Sequence, residues 1–143
     1  MNKKFLLFDY LDSHGRNVMQ DWADGLPMQK RDRGRLDSKI DMLERAGDKL
    51  PPGLLQNTRC KHIMELAVNG RVALRAMLCR GPGPYSMQSE FTFLCGAVER
   101  DVKYVRSDAP ERAEANRLDL LAHADKRCKH ERFSKYPETR VQG

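Results

Sequence analysis

No apolar run in this sequence approaches the ~20 residues that a helix needs to span a bilayer. The segment Phe5-Leu6-Leu7-Phe8 follows two lysines, as the start of a signal peptide would, but Asp9 interrupts it and no small-residue cleavage site follows. This pattern favours a first β-strand over a targeting segment. We therefore expect a cytoplasmic protein that does not have the membrane as a partner.

Cysteine is scarce, and its spacing is not that of paired metal ligands. The four cysteines are Cys60, Cys79, Cys95 and Cys128, and no two of them are separated by two residues. Closed zinc sites need four ligands and usually show paired spacing. A metal site that uses Cys60, Cys79 and His62 is therefore less favoured than free, buried thiols in a reducing compartment. We predict no metal and no cofactor.

The composition excludes a disordered chain. Of the 143 residues, 32% are charged and 40% are hydrophobic, which is typical of one globular domain with a modest core. The net charge of +6 is concentrated in two regions: residues 59–80 carry five basic residues against one acidic, and residues 126–143 carry six against two. Such concentration favours a polyanionic partner, most commonly nucleic acid, although a solvated surface explains the charge equally well.

A basic β-hairpin over residues 60–79 is the most informative segment. Two β-rich runs flank Asn69-Gly70, the pair that type I′ turns favour because both central residues need positive φ. The predicted cross-strand pairs are Val68 with Arg71, Leu66 with Ala73, Met64 with Arg75, and Cys60 with Cys79. Alternation then places Arg71 and Arg75 on one face, which would suit anions, and Glu65 on the face opposite Arg75.

Periodicity in the rest of the chain predicts an α+β domain with the order β, α, α, β, β, β, α. Residues 4–11 suit an edge strand, and residues 90–98, which are apolar on both faces, suit a central strand. Three stripes at helical spacing are predicted. They are Val18, Met19, Trp22 and Leu26; Leu36, Ile40 and Leu43; and Ala115, Leu118, Leu121 and Ala122. We place the domain at residues 1–125 and expect residues 126–143 to form a frayed, basic C-terminal tail.

Four motifs occur in one order between residues 16 and 125. The first is a helical hairpin with Trp22 before a Gly-ended loop, and the last is Ala109-Pro110 before Ala113 and Ala115. The second is Met64-Glu65-Leu66 followed by a turn and Arg75, which is similar to a family pattern "Glu-Leu-Arg … Tyr-Arg". The third is Phe93-Leu94-Cys95-Gly96-Ala97, which is similar to a family strand "Leu-Leu-x-Gly-Phe". In this order and spacing, the chain resembles the RelE/HigB superfamily of toxin–antitoxin toxins, specifically its phage-derived HigB-like branch.

The resemblance implies a RelE-like α+β fold, in which a small, mostly antiparallel sheet carries an N-terminal helical hairpin and a C-terminal helix. It also implies a toxin that enters the ribosomal A site and cleaves messenger RNA there, as a ribosome-dependent endoribonuclease, or mRNA interferase, that inhibits translation. The implied partners are the ribosome, messenger RNA and a cognate antitoxin, often a helix-turn-helix protein. Cleavage through the 2′-hydroxyl needs a base, an acid and cations around the phosphorane.

The resemblance also suggests site residues. The candidate catalytic residues are Arg75, Lys61, His62 and Arg100, and the candidate RNA-binding residues are Arg71, Lys103, Tyr104 and Arg80. Arg75 matches the hairpin arginine of the family and would stabilise the phosphate. Lys61 precedes the Glu-Leu pair, where the family often has a functional basic residue, while Arg100 and Lys103 lie where the family has a Lys-Lys pair.

Three assignments rest on side-chain chemistry rather than on a match, and two of them have a structural alternative. The His62 imidazole suits an acid or a base, or a structural role on a strand. Tyr104 suits base stacking or proton donation, or an ordinary place at the sheet edge. Arg71 is a nearby cation without a firm counterpart in the family.

Two departures from the family pattern remove positive charge from the expected site. Ala67 stands where the family has the arginine of "Glu-Leu-Arg", and Glu99 stands where it has the first lysine of the pair. These departures favour an alternative, a catalytically inactive module of the same fold that binds nucleic acid or a protein partner. A third possibility is a phage structural or regulatory protein that shares only the α+β core.

Overall fold

Three α-helices cover the faces of one seven-stranded sheet in the computed structural model, which describes residues 5–25, 30–81, 89–105 and 107–133. The strands are β1 (Leu6–Tyr10), β2 (Leu55–Asn57), β3 (Met64–Val68), β4 (Leu74–Arg80), β5 (Glu90–Arg100), β6 (Lys103–Val105) and β7 (Arg127–Lys129). The helices are α1 (Val18–Gly25), α2 (Lys30–Ala46) and α3 (Ala109–Ala122). No helix in the described part of the chain has the length and apolar character needed to cross a bilayer.

The sheet is mostly antiparallel, and the α+β prediction is confirmed at that level. Its strand order is β2-β3-β4-β5-β1-β7, and β6 pairs with the far end of β5. Among the described strands, only β1 and β5 run parallel. The central position of β5 agrees with its two apolar faces. The prediction of β1 as an edge strand is wrong, because β7 pairs with its outer side.

The segment after Lys126 does not fray as we expected. Its first residues form β7, and the His130 N–H donates to the Leu7 carbonyl at 3.0 Å. Phe133 is buried, and its N–H donates to the Asp37 carboxylate at 2.8 Å. The sheet therefore includes residues beyond 125, whereas residues 134–143 of the predicted tail lie outside the described residues.

Two apolar clusters occupy opposite faces of the sheet. The cluster under α1 and α2 includes Met19, Ala23, Leu36, Ile40, Leu43, Leu66, Ala76, Leu78, Phe91 and Phe93. The cluster under α3 includes Ile63, Met77, Cys79, Leu94, Cys95, Ala97, Ala113 and Leu120. The alternation of β4 between the clusters follows from the two-residue period of a strand. The stripe predicted for α2 is confirmed, because all three of its residues are buried.

The stripe predicted for α3 is wrong. Leu118 and Leu121 are 53% and 48% exposed, and Ala113 and Leu120 are buried instead. The Asn116 side-chain amide lies on the buried side and donates to the Leu94 carbonyl of β5 at 2.9 Å. This polar contact fixes the rotation of the helix, which the apolar pattern alone does not reveal.

A β-bulge in β5 also changes which faces its side chains occupy. The register pairs Met77 with Cys95 and Leu78 with Phe93. Leu94 is therefore an extra residue on β5, and the alternation of faces shifts there. As a result, Cys95 and Ala97 face α3 and do not share a face with Phe91.

The hairpin exists, but its register differs from the prediction by three residues. Val68 pairs with Leu74, so the loop spans residues 69–73 and is longer than a two-residue turn. Arg71 donates to the buried Asp32 of α2 at 2.8 Å, and Arg35 of the same helix lies over Gly70. These tertiary contacts dock the loop on α2, which explains why the local turn preference does not prevail.

Gly96 of β5 lies directly beneath the ring of Trp22 in α1. A Cβ atom at this position would lie 2.1 Å from Trp22 Cδ2, a rigid and partly buried group. We expect Gly96→Ala to lower the free energy of unfolding by about 1–3 kcal/mol, because the helix would have to shift. Urea denaturation measures the change.

Gly34→Ala in α2 is the matched control for this substitution, because an added Cβ there meets nothing within 4 Å. It should raise the free energy of unfolding by about 0.5–1 kcal/mol through better helix propensity. Similar effects of the two variants would contradict the contact between Gly96 and Trp22.

Candidate functional site

Side chains from four adjacent strands form a polar network on the α3 side of the sheet. Arg75 of β4 donates through Nε to Glu99 Oε1 of β5 at 2.8 Å, and the same nitrogen lies 3.6 Å from Glu65 Oε2 of β3. The Tyr104 hydroxyl of β6 donates to the other oxygen of Glu65. The network therefore brings together two candidate residues from the sequence, Arg75 and Tyr104, and two carboxylates.

The remaining guanidinium contacts hold Arg75 in a fixed orientation. Its Nη1 donates to Asn69 Oδ1 at 3.1 Å and to the Leu74 carbonyl at 2.9 Å. On either side of it, the register places Ala67 and Ala97, whose small side chains leave room for the guanidinium. Ala67 therefore packs beside the Arg75 guanidinium, and its position does not form an empty space that an arginine side chain would otherwise fill.

The observed register overturns the predicted separation of Glu65 and Arg75. Arg75 lies opposite Ala67 and not opposite Met64, and a shift by an odd number of residues reverses which side chains share a face. Glu65 and Arg75 consequently point to the same side. The sequence did not identify Glu65 as a site residue, although it lies within the quoted Glu-Leu motif.

The centre of the network, Arg75 with Glu65, is buried, and the network contains more carboxylates than guanidinium groups. Arg75 is 9% exposed and Glu65 7%, and one guanidinium faces two carboxylates. Burial, followed by the hydrogen bond to Glu65, raises the pKa of Tyr104 above its usual range. The phenol is therefore protonated at neutral pH and remains a hydrogen-bond donor to Glu65.

Three exposed cations lie at the end of the sheet that holds the network. Arg71 and Arg100 line a cavity of about 250 Å³ together with Glu99. Arg100 pairs with Lys103 across the turn between β5 and β6, and both are exposed. Arg71 retains about half of its side-chain exposure despite its ion pair with Asp32. Because successive side chains of a strand point to opposite faces, Arg100 and Lys103 project from the face opposite Glu99 and Tyr104, and Arg71 contacts α2 on that same opposite face. The three cations therefore lie at the network's end of the sheet but do not share its face.

The other three candidates lie elsewhere. Lys61 and His62 are exposed in the turn before β3, which is at the opposite end of that strand from Arg71. Arg80 projects from the other face of the sheet, and its guanidinium carbon lies 5.5 Å from the centre of the Phe91 ring. The eight predicted site residues consequently do not form a single surface.

A second buried polar cluster, formed by Asp9, Asn17 and His130, was not predicted from the sequence. Asp9 is fully buried and accepts hydrogen bonds from His130 Nδ1 at 2.9 Å and from the Asn17 amide at 3.0 Å. The His130 ring lies between Phe93 and Phe133, with 5.2 Å between ring centres on each side. These contacts fasten β7 to β1 and the core, and no local pattern links residues 121 positions apart.

The cysteines are free thiols in the structure. The predicted proximity of Cys60 and Cys79 is wrong, because Cys60 precedes β3 and its Sγ instead contacts Glu111 of α3 at 3.6 Å. Burial raises the pKa of the Cys79 thiol to about 12. In the described ranges, no group of three His, Cys, Asp or Glu side chains could hold a metal ion.

Arg59 fastens the loop before β3 to the first turn of α3. Its Nε and Nη2 each donate to a Glu111 carboxylate oxygen at 2.7 Å, and these bonds lower the pKa of Glu111 from 4.5 to about 2. We expect Arg59→Gln to return the pKa of Glu111 toward 4.5, as measured by NMR titration of its carboxyl group. Glu114, whose pKa is lowered by Arg117, is an internal control that should not move.

The sign of the accompanying pH dependence follows from the lowered pKa. The ion pair contributes stability above the unfolded-state pKa, and this contribution is lost as the pH falls from about 4.5 to about 2. Arg59→Gln should therefore weaken the loss of stability in this acid range. A Glu111 pKa that is unchanged in the variant would contradict the contact.

Comparison of the chain with family models, curated proteins and solved structures finds no match. What the molecule can do is therefore inferred from the Glu65–Arg75–Glu99–Tyr104 network and from the exposed cations at the same end of the sheet.

Proposed function

We propose that this protein is a RelE-like toxin of a toxin–antitoxin pair, and that it cleaves messenger RNA on the ribosome. The observation that carries the proposal is the network in which a carboxylate, a guanidinium and a protonated phenol adjoin on one face of the sheet. The mixed fold with two N-terminal helices and a C-terminal helix is compatible with this assignment. Its partners would be the ribosome, messenger RNA and a neutralising antitoxin.

The network suits cleavage by the RNA's own 2′-hydroxyl. Glu65 would accept the hydroxyl proton as the 2′-oxygen attacks phosphorus, and Arg75 would stabilise the charge on the phosphorane. Tyr104 would hold the Glu65 carboxylate in position through its hydrogen bond. The 5′-oxygen would leave with a proton from water, giving a 2′,3′-cyclic phosphate and a 5′-hydroxyl end.

A second function, binding of RNA or of a protein without cleavage, is favoured by Glu99. Its carboxylate already accepts the Nε–H of Arg75, the donor that a phosphate oxygen would need. With Ala67 beside Arg75, the network has no other cation of its own. In that case the exposed Arg100 and Lys103 would bind the polyanion, and the network would be structural.

Induced expression in a bacterial host distinguishes the two functions. We expect the wild-type protein to arrest growth and to generate new in-frame 5′-hydroxyl ends in messenger RNA, and co-expression of its antitoxin to restore growth. Glu65→Gln keeps the shape of the side chain but removes the base, so it should abolish both effects. Glu44→Gln on α2, beyond the other face of the sheet, makes the same charge change and should behave as the wild type.

Normal growth and intact messages with the wild-type protein would contradict cleavage and favour the second function. Growth arrest that persists in Glu65→Gln would contradict the role of the network, because toxicity would then arise from another part of the molecule.

A further inference from the structure

The tip of the β5–β6 hairpin holds an apolar residue in a conformation that disfavours it. Arg100 pairs with Lys103, so the turn consists of Asp101 and Val102. Their φ values are 52° and 64°, the left-handed region that Asn-Gly usually supplies in such turns. For a β-branched residue, this conformation is a genuine outlier, since Cβ approaches the following carbonyl oxygen.

Packing does not explain why valine occupies this position. Val102 is 90% exposed, so its side chain buries almost nothing in the fold. A glycine or asparagine would form the same turn with less steric conflict. Backbone strain of this kind often marks a functional position, where the side chain is needed for a contact outside the fold.

The surroundings of Val102 indicate what that contact is. Arg100 and Lys103 flank the turn as exposed cations, and Arg100 also lines the cavity beside Glu99. Tyr104, the next residue along β6, belongs to the polar network. The apolar tip is therefore flanked by positive charge and lies at the end of the sheet that holds the proposed cleavage site, with the two cations on the face opposite Tyr104.

We propose that this tip is an RNA-contact element, in which Val102 packs against an unstacked base and Arg100 and Lys103 bind the phosphates on either side. Apolar side chains that wedge against bases, together with cations along the backbone, are a common way of holding single-stranded nucleic acid. This inference rests on the proposed function and specifies its substrate as single-stranded RNA with accessible bases.

Two substitutions at Val102 test the proposal through opposite changes. The affinity of the full chain for fluorescein-labelled oligouridylate is measured by anisotropy, and stability by urea denaturation. Val102→Gly should raise the urea midpoint, because the steric conflict disappears, yet weaken RNA binding on the order of fivefold. Val102→Trp should strengthen binding by a similar factor, because an indole offers a larger surface to the base.

Leu6→Ala, which removes another half-exposed apolar side chain at the start of β1, is the matched control and should leave the affinity unchanged. Equal affinity of wild type, Val102→Gly and Val102→Trp would contradict the tip as a contact while leaving the proposed function intact. A lower urea midpoint in Val102→Gly would also contradict it, because Val102 would then serve the fold. Absence of RNA binding by the wild type would contradict the tip as an RNA contact, whereas cleavage on the ribosome is tested separately by the expression experiment.

Discussion

Arg75→Ala should lower the free energy of unfolding by about 3–5 kcal/mol, the usual effect of removing one partner from a buried ion pair. The substitution leaves the Glu65 carboxylate buried without its cation, and it removes the hydrogen bond to Glu99. The loss arises mainly from the uncompensated charge, and less from the contact itself. Urea denaturation near neutral pH measures the change.

Arg16→Ala is the matched control, because it also removes an arginine from an ion pair with a 2.7 Å contact. Both Arg16 and its partner Asp21 are exposed, so solvent screens the pair and no resolvable change in stability is expected. Wild-type stability of Arg75→Ala would contradict the network as described. The expected loss also means that Arg75→Ala is a poor test of catalysis, and this is why Glu65→Gln is preferred.

Glu99→Gln should strengthen the binding of single-stranded RNA by about tenfold at low salt. In the wild type, the Glu99 carboxylate occupies the Arg75 Nε–H at 2.8 Å, so an incoming phosphate competes with an internal anion. The amide removes that charge and leaves Arg75 able to bind one more phosphate, and charge-assisted hydrogen bonds are among the stronger ones. The logarithm of the binding constant should then fall more steeply with the logarithm of salt concentration, by about 0.7 in slope.

The salt slope separates this local effect from a general increase in positive charge. Glu44→Gln raises the net charge equally but lies on α2, away from the network, so its slope should match that of the wild type. If Glu99→Gln has the same salt slope as the wild type and Glu44→Gln, Arg75 does not bind a phosphate even when the Glu99 carboxylate is removed.

Local sequence patterns predicted those elements whose burial follows a simple period. Leu36, Ile40 and Leu43 form the buried stripe of α2 because a helix repeats every 3.6 residues and one side faces the sheet. The hairpin was predicted as an element, but its register was not. The preference of Asn69-Gly70 for a two-residue turn does not prevail over the contacts of Arg71 and Arg35 with the rest of the fold.

The turn with positive φ at both central positions lies at Asp101 and Val102, a pair that no turn rule favours. Strand β7 has only three residues, too few for periodicity to reveal, and its attachment depends on the distant pair Asp9 and His130.

The candidate site was predictable only in part, because local patterns reveal single residues but not their partners on other strands. Arg75 was identified because the hairpin motif marks it, but its partners depend on register and on distance along the chain. Glu65 shares its face only in the observed register, and Glu99 is 24 residues away on another strand. A single sequence therefore identified the cation of the network and the loss of positive charge at Glu99, but it did not reveal that Glu65 and Glu99 both face Arg75.

The most direct test of the proposed function is primer extension on a defined messenger RNA in purified, programmed ribosomes. With the wild-type protein, we predict cleavage within the A-site codon that leaves a 5′-hydroxyl end. With Glu65→Gln, we predict intact RNA at unchanged ribosome binding. Intact RNA on ribosomes that have bound the wild-type protein would contradict cleavage by the Glu65–Arg75–Tyr104 network.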